Sequence, residues 1–138
     1  MTMQRQVLRL FGIGLALVLL ALGACGGQTL SPRFQPEISN VTDNFQFQAT
    51  AMTNVSQTLT YTWQNTGISA NVNQASSVTG GSADVLIRDA QSTVVYTANL
   101  ATNGTFVTNN GTAGAWTIQV ALSGCNGTVN FRVQKRTP

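Results

Sequence analysis

The stretch WTIQVAL, residues 116–122, decides the fold class, because every second side chain in it is apolar. These apolar residues are Trp116, Ile118, Val120 and Leu122. Period-two alternation is typical of a β-strand with one buried face. The stretch TVNFRV, residues 128–133, alternates in the same way, and Asn126-Gly127 between the two tolerates the positive φ of a type I′ turn. The sequence therefore predicts a β-hairpin over residues 116–133.

The same alternation recurs upstream, in segments that begin near residues 45, 59, 68, 85, 94 and 106. It places Ala51, Ile68 and Val94 on the inward faces with the aromatic residues. Proline is absent from residues 38–137, so glycine, Asn, Asp and Ser must form the turns, among them Gly80-Gly81 and residues 89–92. About eight short strands predict an all-β fold, an antiparallel, jelly-roll-like β-sandwich over residues 38–138.

Composition excludes most kinds of catalysis. The 138 residues include no histidine, four carboxylates and two cysteines, and only 8% of them are charged. Such a chain cannot assemble a Ser-His-Asp or Cys-His unit or a histidine-rich metal site. We therefore predict a protein that is not an enzyme and that needs no cofactor.

The N-terminus has the architecture of an export signal. Arg5 and Arg9 precede an apolar run over residues 10–22, and the run ends on the small residues Gly23 and Ala24. The run is too short for a membrane span, which needs about 20 apolar residues. It fits the apolar helix of a signal peptide, which we assign to residues 1–24.

Leu22-Gly23-Ala24-Cys25 resembles the bacterial lipobox at all four positions. The resemblance implies cleavage between Ala24 and Cys25, a diacylglyceryl thioether on Cys25 and usually acylation of the new amino terminus. Two or three acyl chains anchor a protein stably to a membrane. Gly26 stands where enterobacterial lipoproteins retained in the inner membrane have Asp, so the resemblance favours the outer membrane or cell surface. The alternative is an ordinary signal peptide, cut at the same site, with a chance cysteine.

Cleavage after Ala24 leaves five basic and four acidic side chains, so the basic excess almost disappears. Three of the basic residues are Arg132, Lys135 and Arg136, which we interpret as a solubilising terminal cluster. Nucleic acid is a poor candidate partner, since its binding needs many phosphate contacts. Residues 25–37 contain two prolines and no periodicity, which indicates a lipidated flexible tether.

The half of the chain from Gly80 onward is similar to the small sandwich domains attached to secreted bacterial proteases, the pre-peptidase C-terminal domains. The similarity lies in the run SADVLIRD (residues 82–89), the strand GAWTIQV (114–120) and the strand GTVNFRV (127–133). It implies a jelly-roll-type sandwich. No catalytic domain accompanies the strands in this chain, which separates it from the usual members of that family.

Three groups of side chains are candidate sites. Cys125 is the thiol left after lipidation, and we expect it exposed in the turn SGCNG (residues 123–127), where it is either an intermolecular disulfide partner that makes a dimer or an inert thiol. Asp84 and Asp89 flank one strand and are weak candidates for calcium, although turn formation explains them better. Four aromatic residues, Tyr61, Trp63, Tyr96 and Trp116, are either a sugar-stacking platform or core, and their alternation favours core.

Two functional hypotheses remain. The first is a lipid-anchored, non-catalytic binding or structural module of the cell envelope that contacts protein or glycan. The second is an accessory or inhibitor-like partner of a secreted hydrolase such as a protease.

Overall fold

The computed structural model describes residues 34–138, which form an all-β, antiparallel sandwich without a helix. The predicted fold class is thereby confirmed. Seven strands follow in chain order: β1 (Glu37–Val41), β2 (Asn44–Asn65), β3 (Ala70–Gln74), β4 (Ser77–Arg88), β5 (Val94–Asn99), β6 (Gly104–Val107) and β7 (Gly114–Lys135). The predicted signal peptide, with Ala24 and Cys25, and the tether up to residue 33 lie outside the described residues.

Two strands of 22 residues each, β2 and β7, form the centre of the fold. They pair along their whole length, from Asn44 opposite Gln134 to Asn65 opposite Gly114. One half of this ladder is flanked by β1 on one side and by β3 and β6 on the other. The other half is flanked by β4 and β5. The two halves are the two layers of the sandwich, so both layers share the same pair of strands.

The layers join at a bend where the pairing of β2 with β7 shifts register between Ala49 and Gln57. Ala51 and Asn54 take positive φ angles of 52° and 50° there. Polar side chains satisfy the displaced backbone: Asn54 N–H donates to Asn126 Oδ1 at 2.9 Å, and Gly124 N–H donates to Ser56 Oγ at 2.8 Å. Bulges of this kind bend a strand and strengthen its twist.

The hairpin predicted at Asn126-Gly127 is wrong. Both residues lie inside β7, and Gly127, at φ 107°, packs against the carbonyl of Ser77 on β4. The tolerance for positive φ that the sequence shows serves a bend within a strand instead of a turn. The predicted break at Gly80-Gly81 lies likewise inside β4, where the pairing with β7 shifts.

The core between the layers follows the alternation in most strands. Its largest fully buried members are Trp63, Trp116, Phe45, Phe47, Phe131, Ile87, Leu100 and Ile118.

Three residues that the alternation predicts on inward faces are exposed instead. Ala51 is exposed at the bend; Ile68, 56% exposed, lies in a loop; and Val94 is 42% exposed while its neighbour Val95 is buried. The pairing of β4 with β5 shifts register between Ile87 and Arg88. A shift of one residue moves the side chains of a strand to the opposite face of the sheet, which explains why Val95 is buried and Val94 is exposed.

The described part of the chain begins shortly before the first strand. Residues 34–36 are irregular, and Phe34 packs half-buried against the core. Glu37 begins β1, an edge strand without predicted alternation whose five residues are all exposed. Because β1 pairs only with β2 and contributes no buried residue, its sequence shows no inward face.

Candidate functional site

One end of the sandwich gathers most of the connections between strands. This loop end comprises the turn at residues 42–43, the loops at 66–69, 89–93 and 108–113, and residues 136–138. It forms because β1, β4, β6 and the second halves of β2 and β7 end there, while β3, β5 and the first halves of β2 and β7 begin there. At the other end β2 and β7 continue through the bend.

Asp43, in the turn between β1 and β2, organises one side of the loop end. Its carboxylate accepts bonds from Thr66 N–H at 2.7 Å, Thr66 Oγ1 at 2.8 Å and Lys135 Nζ at 3.3 Å. The Lys135 ammonium also donates to Thr66 Oγ1 at 2.8 Å. The backbone bond from Thr66 holds the pKa of Asp43 below its ordinary value, and the Thr66 hydroxyl and Lys135 add to that lowering against the effect of burial.

Asp89, 5% exposed, organises the other side. Its carboxylate accepts backbone bonds from Gln91 and Thr93, at 2.9 and 2.8 Å, and from Thr112 across the loop end at 2.7 Å. These bonds, Thr112 first, lower the pKa of Asp89 against the opposing effect of burial. A carboxylate held by three N–H donors closes the predicted turn at residues 89–92 and ties it to the loop at 108–113.

The calcium candidates are not brought together into a metal-binding cluster. Asp84 is exposed on β4, where it lies opposite Ala121, and Asp89 is occupied by backbone donors. Among residues 34–138, no three carboxylate or thiol side chains group in a way that could hold a metal ion.

The sequence predicts that Cys125 is exposed in a turn, but in the structure it is buried within a strand. Its side chain is 0% exposed and belongs to the core, since Cys125 lies in β7 opposite Val55 of β2. Burial raises the pKa of this thiol, which disfavours the reactive thiolate. A disulfide between two copies would need the strand pair to open first.

The four aromatic candidates divide between core and half-buried positions. Trp63 and Trp116 are 0% exposed. Tyr61 is half-buried against Phe45, with ring centroids 5.4 Å apart, and Tyr96 is half-buried and donates its hydroxyl proton to Gln74 Oε1 at 2.7 Å. None of the four offers a flat exposed ring for stacking a sugar.

The loop end instead exposes aliphatic side chains. Five large hydrophobic residues are exposed among residues 34–138, and four of them lie at or beside the loop end: Val41, Ile68, Val94 and Val107. The fifth, Ile38, lies on β1. Exposed apolar residues that concentrate in one region indicate an interaction surface, whereas scattered ones need no explanation.

A depression of about 500 Å³ opens at the loop end. Its lining residues are Gly67, Ile68, Ser69, Asn110, Lys135, Arg136 and Pro138. Backbone bonds fix its walls: Gly111 N–H donates to Ile68 O at 2.7 Å, and Arg136 N–H donates to Ser69 O at 3.0 Å. No local sequence pattern indicates this site, because its three segments meet only in the folded chain and because the alternation predicts Ile68 as a core residue.

Within the described part of the chain, no helix is long and apolar enough to cross a membrane.

Comparison with known proteins shows no family for this chain: no family model and no curated protein matches it. Among solved structures, the chain is similar to one in the crystal structure of accessory secretory protein 1, 2 and 3 of Streptococcus pneumoniae. That match has 9% identity and a TM-score of 0.39, over 80% of this chain and 91% of the other. It is also similar to an arabinose-bound α-L-arabinofuranosidase, with 16% identity and a TM-score of 0.32, over 75% of this chain and 23% of the other. At these TM-scores neither likeness carries an argument about function.

Proposed function

We propose that this protein is a lipid-anchored β-sandwich of the cell envelope that binds a partner protein through its loop end. The observation that carries the proposal is the concentration of exposed Val41, Ile68, Val94 and Val107 in this one region. The proposed membrane anchor is the lipid on Cys25, and the proposed location is the outer membrane or the cell surface.

The direction of β1 supports this arrangement. The chain enters β1 at Glu37, opposite Gln48, and reaches the loop end only at Val41, opposite Asn44. Five strand residues span about 14 Å at roughly 3.4 Å per step. The chain therefore enters the domain at the end of β1 that lies away from the loop end.

A protein fits this surface better than a glycan does. The exposed side chains are aliphatic, and the tryptophans that could stack on a sugar ring are buried. Aliphatic side chains gain more from contact with another apolar surface than from hydroxyl-rich sugars. The described strands carry few charges, and the basic residues at the loop end are Lys135 and Arg136.

Two measurements test the proposal. Labelling with radioactive palmitate checks the anchor: we expect label on the wild-type protein and none on Cys25→Ala. Capture from detergent-solubilised envelopes checks the surface: Ile68→Asp should lose the partner, whereas Thr60→Asp, on the exposed outer face of β2, should retain it. Equal capture by both variants, with both folded, would contradict a binding surface at the loop end. Capture of a secreted hydrolase would instead support the accessory role.

A further inference from the structure

The depression beside Ile68 is lined by two basic residues as well as by apolar groups. Lys135 and Arg136 both line it, and no side-chain carboxylate does. The Lys135 ammonium is already engaged by Asp43 and Thr66, at 3.3 and 2.8 Å. This ion pair is the only one formed among residues 34–138.

Arg136 differs from the other cations of the described chain. Arg88 donates to Ser92 O at 3.5 Å and Arg132 donates to Gln46 Oε1 at 3.3 Å, whereas the exposed guanidinium of Arg136 has no hydrogen-bond or ion-pair partner among residues 34–138. Its backbone N–H is nevertheless fixed to Ser69 O, so the residue is held at the rim of the depression. An anchored arginine with free donors is suited to a planar oxyanion.

The wall next to this arginine is polar and small. Ser69 and Asn110 line the depression, and the lack of a side chain on Gly67 lets the Lys135 side chain pack closely against it: a Cβ there would lie 3.0 Å from Lys135 Cγ. The N–H of Gly67 is taken by Asn65 Oδ1 at 2.9 Å. The Nδ2 of the same Asn65 is buried without a partner among the described residues. The chain thus has polar groups beside the depression and one aliphatic side chain, Ile68, open within it.

We propose that this depression binds a carboxylate carried on an aliphatic peptide, an Asp or Glu side chain next to a Leu, Ile or Val of the partner. The carboxylate pairs with the Arg136 guanidinium, and the aliphatic side chain packs on Ile68. This inference rests on the proposed function, because it names the chemistry that the partner presents to the loop end. The aliphatic part distinguishes it from a site for free anions.

The test uses the purified full chain in detergent and two probes, N-acetyl-Leu-Glu-amide and N-acetyl-Leu-Gln-amide. In NMR titrations, we expect the Glu probe to shift the amides of Gly67, Ser69 and Arg136 and to bind about tenfold more tightly than the Gln probe, which is the effect of one charge-assisted hydrogen bond. Arg136→Gln should remove the difference. Arg132→Gln, which changes an exposed arginine on β7, should preserve it.

Three results would overturn the inference: equal binding of both probes, a preference that survives in Arg136→Gln, or equal shifts with inorganic phosphate at the same concentration. The last result would mean a site for anions in general. If the probes show no preference while Ile68→Asp still loses the captured partner, the proposed function stands and the carboxylate is wrong. If neither Ile68→Asp nor Arg136→Gln has an effect, both proposals fail.

Discussion

The indoles of Trp63 and Trp116 meet edge to face, with ring centroids 5.9 Å apart and ring planes at 89°. The two residues lie opposite each other on β2 and β7, near the loop end. Each indole N–H donates to a backbone carbonyl at the loop end: that of Trp63 to O of Val41, the last residue of β1, at 3.1 Å, and that of Trp116 to Thr112 O at 2.8 Å. The pair therefore joins the core to two of the connections that form the candidate surface.

Replacing either tryptophan with alanine should cost about 3–5 kcal/mol of unfolding free energy, the usual loss for a large buried aromatic side chain. Trp116→Phe should lose less unfolding free energy, because a phenylalanine ring still fills much of the core. It removes the hydrogen bond to the Thr112 carbonyl, so amides at 108–113 should exchange faster than in the wild type. Urea unfolding and hydrogen exchange measure the two effects. Unchanged exchange in Trp116→Phe would show that the indole bond does not hold the loop.

Gly80 and Gly81 offer a matched pair of substitutions. Gly81 has a φ of 68°, and a Cβ there would collide with the backbone carbonyls of Ser123 and Gly124. A Cβ on Gly80 would meet only the side chain of Asn126, at 3.0 Å. We expect Gly81→Ala to destabilise the protein severely and Gly80→Ala to have a small effect. Thermal unfolding of the two variants compares them, and similar losses would contradict the bend as described.

Cys125 should be unreactive in the folded protein. Ellman's reagent should modify it only after denaturation, because the thiol is buried and its pKa is raised. Accordingly, a non-reducing gel of protein denatured in the presence of an alkylating reagent should show a monomer. Rapid modification without denaturant would mean that the bend between the layers opens readily. Cys125→Ser should cost about 1–3 kcal/mol, because a hydroxyl replaces a thiol in the core.

Asp43 should make the free energy of unfolding depend on pH in the acidic range. Since its folded pKa lies below the ordinary value of about 3.9, the ionised form stabilises the fold. That contribution is fully present above the unfolded pKa and is lost as pH falls through the folded pKa. The difference in unfolding free energy between wild type and Asp43→Asn should therefore be constant from about pH 7 to about pH 5 and shrink below about pH 4. A difference that grows in acid would contradict the assignment. Asparagine is a suitable replacement because it tolerates the φ of 66° at this position.

The alternation of side chains was sufficient to predict the fold class and most of the core, because each strand buries one face against a shared interior. It was not sufficient to predict where strands end. Asn126 and Gly127 are residue types that occur both in turns and in β-bulges. Here they form a bulge because Gly127 packs against the carbonyl of Ser77, about 50 residues away in sequence. The number of strands differs from prediction mainly because β2 and β7 each continue through such a bend.

The candidate site was harder to predict than the fold. Lys135 and Arg136 suggested only a solubilising cluster, since nothing local indicates that Asp43 and Thr66 engage one of the two cations. Ile68 fits the alternation of a strand, yet it stands in a loop whose carbonyl accepts the N–H of Gly111. These are long-range contacts, and a pattern confined to neighbouring residues does not contain them.

The shared strand pair has a consequence for how the chain becomes folded. Asp43 and Lys135, which meet where β2 and β7 begin and end, are separated by 92 residues in sequence. The contacts across the bend span 68 and 72 residues. Neither layer can complete its central ladder until β7 has been synthesised, and ladders of such long range form slowly. A ribosome-bound chain that lacks β7 thus holds β2, 22 residues without a charge, with only the short strand β1 as a partner. A chain in this state is incompletely folded and exposes an apolar strand edge, so it is the state most in need of a chaperone.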